Sequence, residues 1–127
     1  MRLIYSMALG LLMAWSSHAQ TFKKAKGGGT DVSISENGEV FVVGTSKQIF
    51  KYHFNIEDFK LYSAANRRAK TITAAKANNV WLLTTDGRIH ITYTKNKIQA
   101  MGSLALRDIY VCKNNALWGI DSKGAIK

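Results

Sequence analysis

The sequence contains no proline and only one cysteine, Cys112, among its 127 residues. A single cysteine excludes a fold held together by an internal disulfide. Because Cys112 lies in an apolar run, we expect it to be a small buried residue, with an intermolecular bridge as the alternative. No Asn-x-Ser/Thr sequon occurs, so the sequence predicts no N-linked glycan.

Motifs for catalysis and metal binding are also missing. Neither His-Glu-x-x-His nor Gly-x-Ser-x-Gly occurs, and His53 and His90 lack the spacing of metal ligands. Gly27-Gly28-Gly29 is not followed by the Gly-Lys-Ser/Thr of a phosphate-binding loop and is interpreted as a flexible lead-in. Glu57 and Asp58 are neighbours in a predicted loop, whereas a glycosidase needs carboxylates separated across a cleft. We therefore expect a non-enzymatic protein with no catalytic residue, metal or cofactor.

The N-terminus is typical of a secretory signal peptide. Arg2 supplies a positive charge, and the apolar stretch 3–15 is shorter than the roughly 20 residues of a membrane span. Ser17 and Ala19 are small residues at the −3 and −1 positions of a cleavage site after residue 19. We expect residues 1–19 to be removed and the remainder to be secreted or periplasmic. An uncleaved N-terminal anchor is the alternative.

Positive charge dominates the chain, with a formal net charge of +10 at neutral pH. This charge is compatible with an ordinary solvated surface, or with attraction to acidic glycans, lipopolysaccharide phosphates or nucleic acid. Export disfavours nucleic acid as the partner. Arg67-Arg68 and Lys95-Asn96-Lys97 form two basic segments, and arginine can bind two oxygens of a phosphate or carboxylate at once.

One pattern of apolar and aromatic residues occurs three times, at intervals of 40 and then 37 residues. Internal repeats of this length indicate a repeat architecture. The copies span about 31–69, 70–106 and 107–127. The aligned columns are Val32, Ile72 and Ile109; Val40, Val80 and Leu117; Phe41, Trp81 and Trp118; Thr45, Thr85 and Ser122; and Ile49, Ile89 and Ile126.

Each copy predicts short strands separated by turns. Asn37-Gly38 is a hairpin signal, and Gly87 and Gly124 are the permissive residues of the following turn. Four antiparallel strands in about 40 residues describe a β-propeller blade, so we predict an all-β fold of about three blades. Residues 63–70 are interpreted as a connection between blades rather than a helix.

The segment from Asp108 to Ile126, with Leu117-Trp118-Gly119-Ile120 followed by a Gly-containing turn, resembles the tectonin repeat. The resemblance extends over about residues 22–127, although Phe41 replaces tryptophan in the first copy and Lys47 replaces the turn glycine. It implies a β-propeller, commonly six-bladed, that acts as a lectin for glycans or lipopolysaccharide. It also identifies residues 100–107 as a connection between blades. A propeller fragment that serves as a protein-interaction or sensor module is the alternative.

Three blades do not close a ring, which usually needs about 4–8. Residues 21–26 resemble a fourth strand, so the expected total is 12 strands, with strands one to three of the last blade at the C-terminus. Either a homodimer completes a six-bladed ring, or the chain is a fragment of a longer propeller.

Sugar binding commonly combines an aromatic face with polar side chains that contact hydroxyl groups. Trp81 and Trp118 are candidates, although an aromatic repeated at one position also suits packing between blades. Residues near predicted loops that differ between copies are further candidates. The complete set of proposed ligand-binding residues is Tyr52, His53, Phe54, Arg67, Arg68, Trp81, His90, Tyr93 and Trp118.

Overall fold

The computed structural model describes residues 24–76, 79–94, 97–103 and 105–127, without the side chains of residues 93, 94, 97, 98, 102 and 103. Residues 1–19, predicted as the signal peptide, lie outside this range. So do residues 21–23 of the predicted closing strand. Lys24, Ala25 and Lys26, which complete that prediction, do not belong to a strand.

The described residues form antiparallel β-sheets and no α-helix. The first sheet contains β1–β4, the second contains β5–β8, and the third contains β9 and β10. All-β architecture and four antiparallel strands in each of the first two copies are thus confirmed, although the described residues contain ten strands rather than twelve. The strands are β1 (Gly29–Ile34), β2 (Val40–Gly44), β3 (Ile49–His53), β4 (Asp58–Ser63), β5 (Ala69–Ala74), β6 (Val80–Thr84), β7 (Arg88–Thr94), β8 (Lys97–Ser103), β9 (Leu106–Val111) and β10 (Leu117–Asp121).

Strand register confirms the alignment of the three copies. Phe41 pairs with Ser33, Trp81 with Thr73, and Trp118 with Tyr110, so each aromatic residue occupies the same place in its sheet. In the third sheet, Ile126 forms a bridge with Ile120. Ile49 pairs with Val43 in the first sheet, and Ile89 pairs with Leu83 in the second, at the equivalent positions. The C-terminus therefore begins a third strand on β10.

The interval from the first copy to the second is three residues longer than the interval from the second to the third, and the extra residues lie in two places. Phe50 pairs with Leu61 across a hairpin that is one residue longer than the hairpin joining His90 to Ala100. The other two residues belong to the connection from β4 to β5, which is longer than the connection from β8 to β9. Within β1–β3 and their equivalents the spacing is constant, which is why the columns align without gaps.

Turn geometry explains the glycine and lysine pattern of the repeat. Gly87 and Gly124 have φ angles of 80° and 84°, in the left-handed region that glycine adopts without a side-chain penalty. Lys47, which replaces glycine in the first copy, adopts φ 63° at the same position. The turn is therefore retained despite the substitution, with its N–H donating to the Gly44 carbonyl at 2.9 Å.

Consecutive sheets pack face to face through two apolar cores. Because side chains alternate along a strand, each sheet has two faces, and we call the face turned toward the next copy the forward face and the other the backward face. The first core joins the forward face of the first sheet to the backward face of the second: Phe41, Val43, Ile49, Tyr62, Ile72, Ala74, Val80 and Leu82. The second core joins the next two sheets in the same way: Trp81, Leu83, Ile89, Ile91, Leu106 and Ile109, with Val111 and Leu117 at its edge.

The strands β1, β5 and β9 are neighbours across these junctions. The Ser33 hydroxyl accepts a hydrogen bond from the Ala74 N–H at 2.9 Å, and the Thr73 hydroxyl accepts one from the Val111 N–H at 3.0 Å. Ser33 and Thr73 are equivalent residues of successive copies. The same polar link therefore recurs where each sheet meets the next.

Two expectations about local structure need correction. Residues 100–107 are not a connection as a whole, because β8 extends to Ser103 and β9 begins at Leu106. Cys112 is exposed rather than buried, because it follows the end of β9 in a turn, where the N–H of Asn115 donates to its carbonyl at 2.8 Å. Residues 63–70 form no α-helix; residues 64–68 connect β4 to β5 through a 3-10 turn at Ala65–Arg67, while Ser63 ends β4 and Ala69 begins β5.

Candidate functional site

Trp81 and Trp118 are equivalent in register but differ in exposure. Trp81 is 9% exposed in the second core, and Trp118 is 53% exposed on the forward face of the third sheet. The difference arises because the third sheet packs over Trp81, while no described residue forms a further sheet over Trp118. Trp81 therefore serves packing between sheets and is not available for a ligand from solvent, whereas the Trp118 ring is exposed.

An aromatic cluster lies at the hairpin between β3 and β4. The Tyr52 ring contacts Phe54 and Phe59, with 5.0 Å between ring centroids in each pair. Phe54 is 66% exposed in the hairpin turn, while the edge-to-face contact with Tyr52 restricts its orientation. His53 is the last residue of β3 and is half-buried. The hairpin thus brings together Tyr52 and Phe54, two of the predicted residues, with Phe59.

A second group of polar side chains lies where the connection between the first two sheets meets the turn between β6 and β7. The Thr85 N–H donates to the Arg68 carbonyl at 2.9 Å, which holds these two segments together. The Arg88 Nε lies 3.4 Å from an Asp86 carboxylate oxygen. Arg68, Asp86 and Arg88 all act electrostatically on His90. We call Arg68, Asp86, Arg88 and His90 the cationic rim.

The electrostatics of the cationic rim favour an anion. Partial burial lowers the pKa of His90; the positive charges of Arg88 and Arg68 lower it further, and Asp86 opposes this shift. The Thr84 hydroxyl donates a hydrogen bond to Asp86 and lowers the pKa of that carboxyl. At neutral pH the rim therefore combines two guanidinium groups, one carboxylate and a neutral imidazole. A phosphate or carboxylate would be attracted by the arginines, and the imidazole can donate or accept a hydrogen bond.

The backbone that carries the arginines is tightly turned. Ala65, Asn66 and Arg67 have φ angles of 46°, 47° and 55°, an unusual run of three non-glycine residues in the left-handed region. Hydrogen bonds hold the turn at both ends, from the Arg67 N–H to the Ala64 carbonyl at 2.8 Å and from the Ala69 N–H to the Lys47 carbonyl at 3.1 Å. Such strained conformations persist where surrounding contacts impose them and are concentrated at functional sites.

Sequence reasoning identified Arg68 and His90 but did not bring them together. Neither Asp86 nor Arg88 was among the predicted ligand-binding residues. The available signal was strand alternation, because Arg88 and His90 are two residues apart on β7 and share one face of the sheet. Arg67 is exposed in the adjacent connection, and the Tyr93 side chain lies outside the described residues.

Two further findings concern only the part of the chain that the structure describes. No helix in it is long and apolar enough to span a bilayer. Three or more His, Cys, Asp or Glu side chains do not come together in it as a group that could hold a metal ion.

Comparison with known proteins does not assign this arrangement to a family. No protein-family model matches the chain, and a search of curated proteins finds no match.

Proposed function

We propose that this protein is an exported, non-catalytic lectin-like protein that binds anionic glycans or lipopolysaccharide through the cationic rim. The observation that carries the proposal is that Arg88 and His90 share one face of β7, beside the connection carrying Arg68, which the Thr85 N–H holds against the turn between β6 and β7. Guanidinium groups bind phosphate and carboxylate through paired hydrogen bonds, which gives both attraction and orientation. The formal net charge of +10 adds long-range attraction for the same ligands.

The aromatic hairpin offers a second contact surface of suitable chemistry. Phe54 exposes its ring, and the rings of Tyr52 and Phe59 support it. An exposed ring can pack against the C–H-rich face of a sugar, while polar groups bind its hydroxyls. We therefore propose that the rim binds the anionic group of the glycan, and that the Phe54 hairpin, at the opposite end of the strands, is a separate surface for apolar contact with a sugar ring.

The arrangement of the sheets supports a β-propeller as the finer description of the fold. Consecutive antiparallel sheets, the first two of them four-stranded, pack forward face to backward face, with equivalent strands at each junction. This is the packing expected of successive blades. A binding surface on the rim of such a scaffold would be carried by turns and connections, as in many repeat proteins.

Binding of lipopolysaccharide and of its enzymatically dephosphorylated form to the purified protein would test the proposal. We expect tighter binding of the phosphorylated form, with affinity that falls as salt is raised because the charges are exposed. Replacing Arg68 and Arg88 together with alanine should abolish this preference. Lys123→Ala removes an exposed cation from a turn of the third sheet and is the matched control. Equal binding of both ligands by the unmodified protein would overturn the proposal.

A protein-interaction module is the second candidate function, and a specific observation favours it. Val32, Ile34, Trp118 and Ile126 are large apolar side chains exposed on the outer faces of the first and third sheets. Exposed apolar faces of this kind commonly mark contact surfaces between proteins. A glycan array distinguishes the two functions, because retention of acidic glycans that is lost in the Arg68→Ala/Arg88→Ala variant supports the lectin and not the module.

A further inference from the structure

The three sheets leave two outer faces, the backward face of the first sheet and the forward face of the third. The side chains on each of these faces are equivalent to side chains that are buried where two sheets meet within the chain. On the backward face of the first sheet, Val32, Ile34 and Val42 are the equivalents of Ile72, Ala74 and Leu82, which are buried in the first core. On the forward face of the third sheet, Trp118 and Ile126 are the equivalents of Trp81 and Ile89, which are buried in the second core.

The exposed fractions of their side chains show that neither outer face packs against another sheet among the described residues. Ile34 is 63% exposed and Ile126 is 71% exposed, whereas their equivalents within the array are buried. A cavity of about 760 Å³ also opens against the backward face of the first sheet, lined in part by Val32, Val42 and Phe50. Apolar side chains on the forward face of the third sheet could therefore be buried against the apolar part of this concavity, as apolar faces are at protein contacts.

We infer that a second copy of this chain docks head to tail, with the forward face of the third sheet of one copy on the backward face of the first sheet of the other. The junction would repeat the register of the two internal junctions, with Trp118 in the role that Phe41 and Trp81 have within the chain. Such a contact is heterologous, because it joins two different faces, and it leaves one face of each copy free. A second contact of the same kind between the two free faces closes a ring of two copies. Such a ring contains six sheets, within the range of about 4–8 that closed propellers use.

One element of the internal junctions is not repeated. Tyr110 occupies the column of Ser33 and Thr73, whose hydroxyls accept a backbone hydrogen bond from the next sheet. The larger side chain is exposed on the same face as Trp118. The contact between copies therefore depends on apolar burial, and substitutions of the apolar residues should disrupt it most strongly.

The first test is the mass of the purified protein by light scattering over a wide range of concentration. We expect twice the mass of one chain at high concentration. Ile34→Glu on one face and Trp118→Glu on the other should each reduce the protein to a monomer while its circular dichroism is unchanged, because both residues are exposed in the single chain. Ile56→Glu replaces another exposed residue, in the hairpin turn away from both faces, and should leave the dimer intact.

A disulfide test then distinguishes head-to-tail contact from contact between like faces. In a Cys112→Ser background, Ile34→Cys combined with Tyr110→Cys should yield a covalent dimer, because the equivalent residues Ser33 and Ala74 are in contact within the chain. Neither single cysteine variant should cross-link. A monomer at every concentration, disruption by only one of the two face substitutions, disruption by Ile56→Glu, or cross-linking of a single-cysteine variant would each overturn the inference.

Discussion

The hydroxyl oxygen of Ser33 on β1 lies 2.9 Å from the backbone nitrogen of Ala74 on β5 and accepts its hydrogen bond. A short side chain of one sheet thereby satisfies a backbone donor on β5, an edge strand of the next sheet. Thr73 and Val111 repeat this relationship at 3.0 Å. The hydrogen bond thus links the repeats and helps to set the register between sheets.

Ser33→Ala should therefore destabilise the protein by about 1–3 kcal/mol, because it leaves the Ala74 N–H without its partner at a partly buried junction. Ser33→Thr retains a hydroxyl and should cost less. Chemical denaturation measures both changes. Ser46→Ala is the control, since Ser46 makes its side-chain hydrogen bond to Gln48 in an exposed turn, and it should change stability by no more than about 0.5 kcal/mol. Equal effects of Ser33→Ala and Ser46→Ala would contradict the role of the link.

Substitutions of Trp81 should separate the contribution of its ring from that of its indole N–H. The indole nitrogen is buried and has no hydrogen-bond partner among the described residues, and Phe41 occupies the equivalent position in the first sheet. Trp81→Phe retains an aromatic ring without the unpaired donor and should cost less than about 1.5 kcal/mol. Trp81→Ala should cost about 3–5 kcal/mol, because it leaves a cavity in the second core. Similar losses of unfolding free energy for the two variants would contradict this account.

Two turn glycines offer a matched comparison of backbone strain and steric contact. Gly87 and Gly124 both have left-handed φ angles, so alanine should cost roughly 1–2 kcal/mol at either position. At Gly87 the new Cβ would also lie 3.2 Å from the Cα of Ala105, whereas at Gly124 no neighbouring atom lies within 4 Å. Gly87→Ala should therefore lower the thermal midpoint more than Gly124→Ala. The reverse order would show that the contact between this turn and residue 105 is not maintained in solution.

The pKa of His90 should make stability depend on pH in a defined direction. Burial and the neighbouring arginines lower this pKa in the folded protein below its ordinary value of 6.5, so the unfolded chain binds a proton more readily. The resulting contribution to stability is complete above pH 6.5 and is lost as the pH falls through the folded-state pKa. NMR titration of the imidazole should give a value below 6.5.

His90→Gln should reduce this dependence, measured as the change in denaturation midpoint between about pH 7.5 and pH 5.5. His53→Gln is the matched control, because it removes an imidazole from the other four-stranded sheet and retains His90. An imidazole pKa above 6.5, or an equal effect of the two variants, would contradict the assignment of this pH dependence to His90.

Much of the fold followed from residue spacing. The column of Phe41, Trp81 and Trp118 predicted equivalent strand positions, and the register of all three sheets confirms them. Spacing also located the turn at Lys47, although lysine has no intrinsic preference for a left-handed φ. Apolar alternation is sufficient for such predictions because it determines which side of a strand is buried.

The hydrogen bonds between sheets were not predictable in the same way. Thr45, Thr85 and Ser122 form the more visible hydroxyl column, yet all three lie in exposed turns. Ser33 and Thr73 carry the polar link instead. Alternation indicates the face of a side chain but not which strands of neighbouring sheets lie against each other, and the link forms because β1 lies against β5 and β5 against β9.

The cationic rim was predictable only in part. Arg68 and His90 belong to different elements, and the bond that brings them together joins the Thr85 N–H to the Arg68 carbonyl. Backbone hydrogen bonds between a connection and a turn leave no pattern in the side chains. The composition of the site could therefore be anticipated from the sequence, but its assembly could not.

The length difference between the first two repeats has an evolutionary consequence. It is confined to the outer hairpin near Phe54 and the connection that contains Arg67 and Arg68. These segments carry Phe54 and Arg68, two of the proposed ligand contacts, while the spacing of core-forming strands is constant. Insertions and deletions can therefore alter ligand preference from one repeat to another without shifting the residues that hold the sheets together. Selection for a new ligand would be largely decoupled from selection for a stable scaffold.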